Sequence, residues 1–122
     1  MAKVLVVEDN PANMKLAVFL LRSAGHTVLC ASDAERGLTL AREERPDLIL
    51  MDIQLPGIDG LEAIVLLKSD EATRAIPVIA LTALAMRGDE ERILAAGCDG
   101  YVAKPLRYQD FLETIAHQLA AT

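Results

Sequence analysis

The chain has no tryptophan, and two Tyr and two Phe are its whole aromatic content, 3% of 122 residues. Its core must therefore be packed from Leu, Ile, Val and Ala, and hydrophobic residues do make up 52% of the sequence. Cysteine is scarce too. Cys30 and Cys98 stand alone, without a CxxC spacing or a nearby pair of histidines, so neither zinc nor redox chemistry is expected and both thiols read as buried or inert. Positive charge is in short supply: 12 Lys and Arg against 18 Asp and Glu leave a net charge of −6, with no basic arm to offset it. Nucleic acids and anionic membranes reward clustered Lys and Arg, so neither is expected as a partner. No apolar run approaches the roughly 20 residues that span a bilayer, and the N-terminus passes directly into Lys3-Val4-Leu5-Val6-Val7, too short for a signal-peptide core. A cytoplasmic location is expected.

What is present is an alternation. Short apolar runs at 3–7, 27–31, 48–51, 77–81 and 100–103 are separated by segments of helical period, the pattern of a parallel sheet with crossover helices. Strands one, three and four are apolar on nearly every residue, so helices must cover both faces of the sheet. The first helix opens with Asn10 as cap and Pro11 at its first position, and turns Met14, Ala17, Val18, Leu21 and Ala24 inward before Gly25. The second spans 33–44, capped by Asp33, with Ala34, Leu38 and Ala41 inward. The third, over 58–68, carries Leu61, Ile64 and Val65. The fourth lies within 85–96 and stops at Gly97. The last runs 107–120, with Tyr108, Phe111, Leu112, Ile115 and Leu119 on one stripe. Five β/α units result, a single domain over 1–122. At that length folding buries roughly two thirds of the surface and needs no disulfide or metal staple.

Ligands of open α/β sheets bind at the carboxyl ends of the strands, where strand order reverses. Glu8 and Asp9 follow the first strand, Asp52 the third, Thr82 the fourth and Lys104-Pro105 the fifth. In the flavodoxin-like order 2-1-3-4-5 the first and third strands are neighbours, which gathers Glu8, Asp9 and Asp52. Three carboxylates so close raise one another's pKa or collect a cation, and an all-oxygen site suits Mg²⁺ or Mn²⁺. An Asp beside such a cation is a competent nucleophile toward a phosphoryl group, given Lys104 as a point charge and Thr82 as a hydroxyl. Pro105 forces an extended conformation on Lys104, and a cis bond is expected there.

Glu8-Asp9, Met51-Asp52 ahead of Leu55-Pro56-Gly57-Ile58-Asp59-Gly60, Thr82-Ala83 and Lys104-Pro105 resemble the receiver domain of bacterial two-component response regulators, in order along the whole chain. Val7-Glu8-Asp9-Asn10, Asn13-Met14-Lys15-Leu16, Met51-Asp52-Ile53-Gln54-Leu55-Pro56 and Met86 to Arg92 are similar to the single-domain DivK-type regulators of cell division. The resemblance implies a CheY-like (βα)5 fold. It implies that Asp52 takes a phosphoryl group from a phosphohistidine on a sensor kinase or phosphotransfer protein, the chain catalysing only its own phosphorylation and dephosphorylation. Asp9, Asp52 and the backbone carbonyl of Gln54 would ligate Mg²⁺, Glu8 mainly through water, with Thr82 and Lys104 on the phosphoryl oxygens. Thr82 and Tyr101 would form the switch. Gln54 and Leu84 would tune dephosphorylation, and Leu84, unable to orient a water, implies slow self-hydrolysis unless Gln54 compensates.

Leu16 and Phe19 fall roughly 140° or more from the inward stripe of the first helix, with Leu20 on its flank, so these three residues form a candidate seat for the helices of a kinase or phosphotransfer domain. The fourth helix is expected to expose Arg87, Glu90, Glu91 and Leu94 beside strand five and the last helix, the face receivers use for output. His26 and His117 are expected to be exposed. A monomeric, stand-alone regulator acting on a separate effector protein is the leading reading, and a phosphorelay shuttle between histidine proteins its alternative. An acid-nucleophile phosphatase of the haloacid dehalogenase type would need DxD on the first strand and a cap. A degenerate scaffold would not keep Glu8, Asp9, Asp52, Thr82 and Lys104 together.

Overall fold

A computed structural model describes residues 2–55, 60–82, 87–104 and 106–120, the side chains of 87–90 excepted. The elements follow one another as β1 (Lys3–Val7), α1 (Pro11–Ser23), β2 (Thr27–Ala31), α2 (Ala34–Glu44), β3 (Leu48–Asp52), α3 (Gly60–Ser69), β4 (Val78–Thr82), α4 (Arg87–Ala95), β5 (Gly100–Ala103) and α5 (Tyr108–Ala120). The strands form one parallel sheet in the order β2-β1-β3-β4-β5. From β1 the chain crosses to β2 on one side and then back past β1 to β3 on the other, so the reversal point lies between β1 and β3.

Alternation along each strand divides the core in two. Leu5, Val7, Ile49, Met51, Val78 and Ala80 pack against α2, α3 and α4 through Ala34, Leu38, Ala41, Ala63, Ile64, Leu67 and Ile93. Val4, Val6, Leu48, Leu50, Ile79, Leu81 and Val102 pack on the other face against Ala17, Leu20 and Leu21 of α1 and Phe111 and Ile115 of α5. Every residue of β3 and β4 is buried, as their unbroken apolar runs require. Asn10 caps α1, its side chain accepting the N–H groups of Ala12 and Asn13, and Asp33 caps α2 by accepting that of Arg36. Gly25 and Gly97 take the positive φ that stops the helices before them.

Several expectations shift. β3 and β4 each run one residue further than predicted, so Asp52 and Thr82 are the last residues of their strands. Leu20 is buried, 3% exposed, because α1 leans on α5 as well as on the sheet and its covered arc is wider than one stripe. Ala24 is the exposed C-cap of α1 and not part of its inward face. Val65 is exposed: α3 turns Gly60, Ala63, Ile64 and Leu67 inward, a stripe that leaves Val65 outside. Tyr108, on the first turn of α5, is exposed as well. Cys30 lies exposed on edge strand β2, whereas Cys98 is buried and burial pushes its thiol up to about 11. His26 is half-buried, its Nδ1 accepting the Ala2 N–H at 3.3 Å, while His117 is exposed. Leu84, the Pro56-to-Asp59 stretch and the bond before Pro105 lie outside the described residues, as do the side chains of Arg87 and Glu90.

At the amino ends of the strands a polar clamp joins three elements. Lys68 Nζ donates to the Ile76 carbonyl at 2.9 Å and to Asp99 Oδ2 at 3.0 Å, and the same Asp99 oxygen accepts the Val78 N–H at 2.8 Å. The clamp ties the end of α3 to the start of β4 and the turn before β5.

Candidate functional site

The register places the acids at the opposite, carboxyl edge. Val7 pairs with Met51, so Glu8 and Asp9 leave β1 beside the Asp52 that ends β3. Leu81 pairs with Asp52, and Thr82 pairs with Ala103 one residue before Lys104. Ligand atoms of Glu8, Asp9 and Asp52 lie within 4.8 Å of one another. Glu8 and Asp52 are each 2% exposed, Asp9 is exposed, and together with Asn10, Gln54 and Lys104 they line an open cleft of about 450 Å³.

Lys104 holds the cluster together. Its Nζ lies 3.0 and 3.1 Å from the two Glu8 oxygens and 3.0 Å from Asp52 Oδ2. The other Asp52 oxygen accepts the Gln54 N–H at 2.9 Å. Glu8 Oε1 also accepts a hydrogen bond from Asn13 Nδ2 at 2.9 Å. Thr82 is buried at the end of β4, and its carbonyl accepts the Lys104 N–H at 2.7 Å, so the two lie side by side. Burial, with the Asp52 carboxylate next to it, pushes the Glu8 carboxyl up to about 7, against the pull of Asn13 and Lys104. Asp52 moves the other way: burial would raise it, but hydrogen bonds from Glu8, the Gln54 N–H and Lys104 more than offset that and hold it below its ordinary value. Lys104 is likewise held above its ordinary value, burial being outweighed by its hydrogen bonds to Asp52 and Glu8.

This donor set fits a hard divalent cation. Its atoms are all oxygens, one ammonium offsets only one of three clustered carboxylates, and the exposed Asp9 side leaves room for water. Gln54 is exposed on the rim of the cleft.

Gly60 is a part of the site that its neighbours in sequence do not advertise. A Cβ there would run into the carbonyl oxygen of Asp52 and the Cα of Ile53, so α3 starts directly against the backbone that carries Asp52. Asn13 is a second. The signal for it was available: a side chain in the first turn of a helix leans back toward the N-terminus, and Glu8 lies there.

Tyr101 is 36% exposed on β5. On α1, Phe19 is 67% exposed and Leu16 38%, while the buried Leu20 is not part of that surface. Phe19, Met14 and Val18 line a groove of about 700 Å³ rimmed by Lys15 and Arg22. Glu91 and Leu94 are exposed on α4.

The sequence model of the response regulator receiver domain matches residues 4–116. The chain is 52% identical over 116 residues to the polar-differentiation response regulator DivK of Brucella anthropi, covering 95% of this chain and 94% of that protein. Its structure is similar to the receiver domain of sensor histidine kinase PA1611 from Pseudomonas aeruginosa, which holds a magnesium ion in its active-site cleft (TM-score 0.91, 37% identity, 98% of each chain). It is also similar to chemotaxis protein CheY4 of Vibrio cholerae (TM-score 0.90, 27% identity, 96% of this chain and 98% of that one). No helix among the described residues is long and apolar enough to cross a membrane.

Proposed function

This chain belongs to the response regulator receiver family, and from that membership we propose that Asp52 accepts a phosphoryl group from a phosphohistidine on a sensor histidine kinase or histidine phosphotransfer protein. The observation that carries this is the buried Asp52 carboxylate at a strand end, 3.0 Å from Lys104 and clustered with Glu8 and Asp9. One Asp52 oxygen forms the bond to phosphorus as the bond from phosphorus to the donor imidazole nitrogen breaks, and the imidazole leaves with a proton from solvent. Lys104, already between the two acids, moves only as far as the new phosphoryl oxygens, and Thr82 supplies a hydroxyl beside it.

Asp9, Asp52 and the Gln54 carbonyl would hold Mg²⁺, or Mn²⁺ in its place, with Glu8 acting mainly through water. When bound, the cation supplies positive charge against the phosphoryl oxygens. Thr82 and Tyr101 form the switch. Leu84 offers no hydrogen bond to a water, and the phosphorylated form is correspondingly long-lived unless Gln54 compensates.

Phe19 and Leu16 form the seat of the phosphodonor's helices, and the basic rim of Lys15 and Arg22 favours an acidic flank on that partner. The surface of α4, β5 and α5 meets a separate effector protein in the cytoplasm, in a role in cell division or polarity like that of the similar DivK proteins. A second reading, onward transfer to another histidine protein, is favoured by the likeness to a receiver that is part of a sensor kinase. Incubation with a small phosphodonor and Mg²⁺, read by intact mass, tests the central claim. Wild type should gain one phosphoryl group and Asp52→Asn none; an equal gain in both would overturn it.

A further inference from the structure

The hydrogen bond between Asn13 and Glu8 ties the first turn of α1 to the acid cluster. Asn10 Oδ1 takes the backbone N–H groups of Ala12 and Asn13, at 2.9 and 3.1 Å, so the cap is complete without the Asn13 side chain. That side chain, half-buried, instead reaches back five residues and donates to Glu8 Oε1 at 2.9 Å. The helix therefore does not need the Asn13 amide, and the amide ends on a carboxylate oxygen that is shared with Lys104.

We propose that Asn13 is a positioning residue for the cation site: it fixes the Glu8 carboxylate in one orientation so that its oxygens meet a divalent cation's water shell without rearrangement. The inference rests on the reading of Glu8, Asp9 and Asp52 as that site. Lys104 contacts both Glu8 oxygens and so restrains the carboxylate without choosing between them. Asn13 contacts one oxygen only. Without it the carboxylate keeps Lys104 and Asp52 as partners but is held less firmly, and binding a cation must then restrict the added motion.

The test measures Mg²⁺ affinity by calorimetry on wild type, Asn13→Ala and Asn13→Ser, with thermal unfolding of the metal-free proteins alongside. Neither variant disturbs the cap made by Asn10, and Ser guards against an Ala variant that fails to fold. Both should bind Mg²⁺ about three- to tenfold more weakly, the scale of one ordinary intramolecular hydrogen bond, and phosphorylation by a small donor should need proportionally more Mg²⁺ while recovering at saturation. Variants that bind Mg²⁺ within twofold of wild type would overturn the proposal, whatever happens to their melting temperature. A wild type that binds no Mg²⁺ would overturn the site reading beneath it as well.

Discussion

Raising the pH from 6 to 8 should destabilise the metal-free protein, and the amount follows from Glu8. Burial beside Asp52 brings its carboxyl to about 7 in the folded chain, against an ordinary 4.5 when unfolded. Between those values the folded state keeps a proton that the unfolded chain has released. The resulting stability is fully present below 4.5 and lost as the pH rises through 7. Linkage makes this contribution about 1 kcal/mol at pH 6 and almost nothing at pH 8, so nearly all of it is lost over the range. His26 works in the opposite sense. Burial holds its ring below the ordinary 6.5, so its contribution is present above that value and lost as the pH falls below it. Glu8→Gln removes the first effect and leaves the second, so the difference between variant and wild type isolates Glu8. Urea unfolding followed by circular dichroism in EDTA is the assay, since a chain without tryptophan gives little fluorescence signal. Mg²⁺ favours ionised carboxylates and should stabilise wild type more at pH 8 than at pH 6. The same pH slope in Glu8→Gln and wild type would refute the reasoning.

The other predictions address separate parts of the molecule. Phe19→Ala should slow phosphorylation by the cognate kinase at least tenfold more than phosphorylation by a small donor; equal effects on both would remove the docking role of α1. Gly60→Ala should cost about 2 kcal/mol or more, because its Cβ meets backbone that cannot turn aside, and should weaken Mg²⁺ binding through the shifted Asp52; thermal unfolding and calorimetry read the two effects. Lys68→Met should lower stability by about 2 kcal/mol at the far edge of the sheet, with Mg²⁺ affinity unchanged. A thiol reagent at neutral pH should label Cys30 rapidly and Cys98 only on unfolding, and rapid labelling of both would contradict the buried environment of Cys98.

The buried strands and the polar residues at their ends were legible because β3 and β4, and β1 after Lys3, are apolar without interruption and then end on Asp52, Thr82 and Glu8-Asp9, while the strand order that gathers the acids came from the flavodoxin-like pattern. A charged or polar residue directly after such a run can only stand at the sheet's edge. Helix faces were less legible. In α3 the run Leu61, Ile64, Val65, Leu66, Leu67 is apolar almost all round, so periodicity alone could not say that Val65 faces outward. Leu20 was misplaced for a related reason: a stripe drawn against one sheet takes no account of α5 alongside α1. Asn13 lay within a motif that marked it as typical without saying what its amide touches. Gly60 was unreadable as a contact, because a missing Cβ shows only once the Asp52 carbonyl is seen against it.

The two ends of the sheet do different work. The Lys68 clamp, at the amino ends, closes hydrogen bonds between α3, β4 and the turn before β5, and touches no acid of the cluster. The carboxyl ends carry crowded negative charge that one lysine only partly relieves. Exchanging one acid there for its amide touches neither the clamp nor either core layer. On the proposed reading, Asp52→Asn should yield a folded chain that still presents the α1 face to a kinase but cannot take its phosphoryl group. The same separation would then place a dominant-negative decoy one residue away.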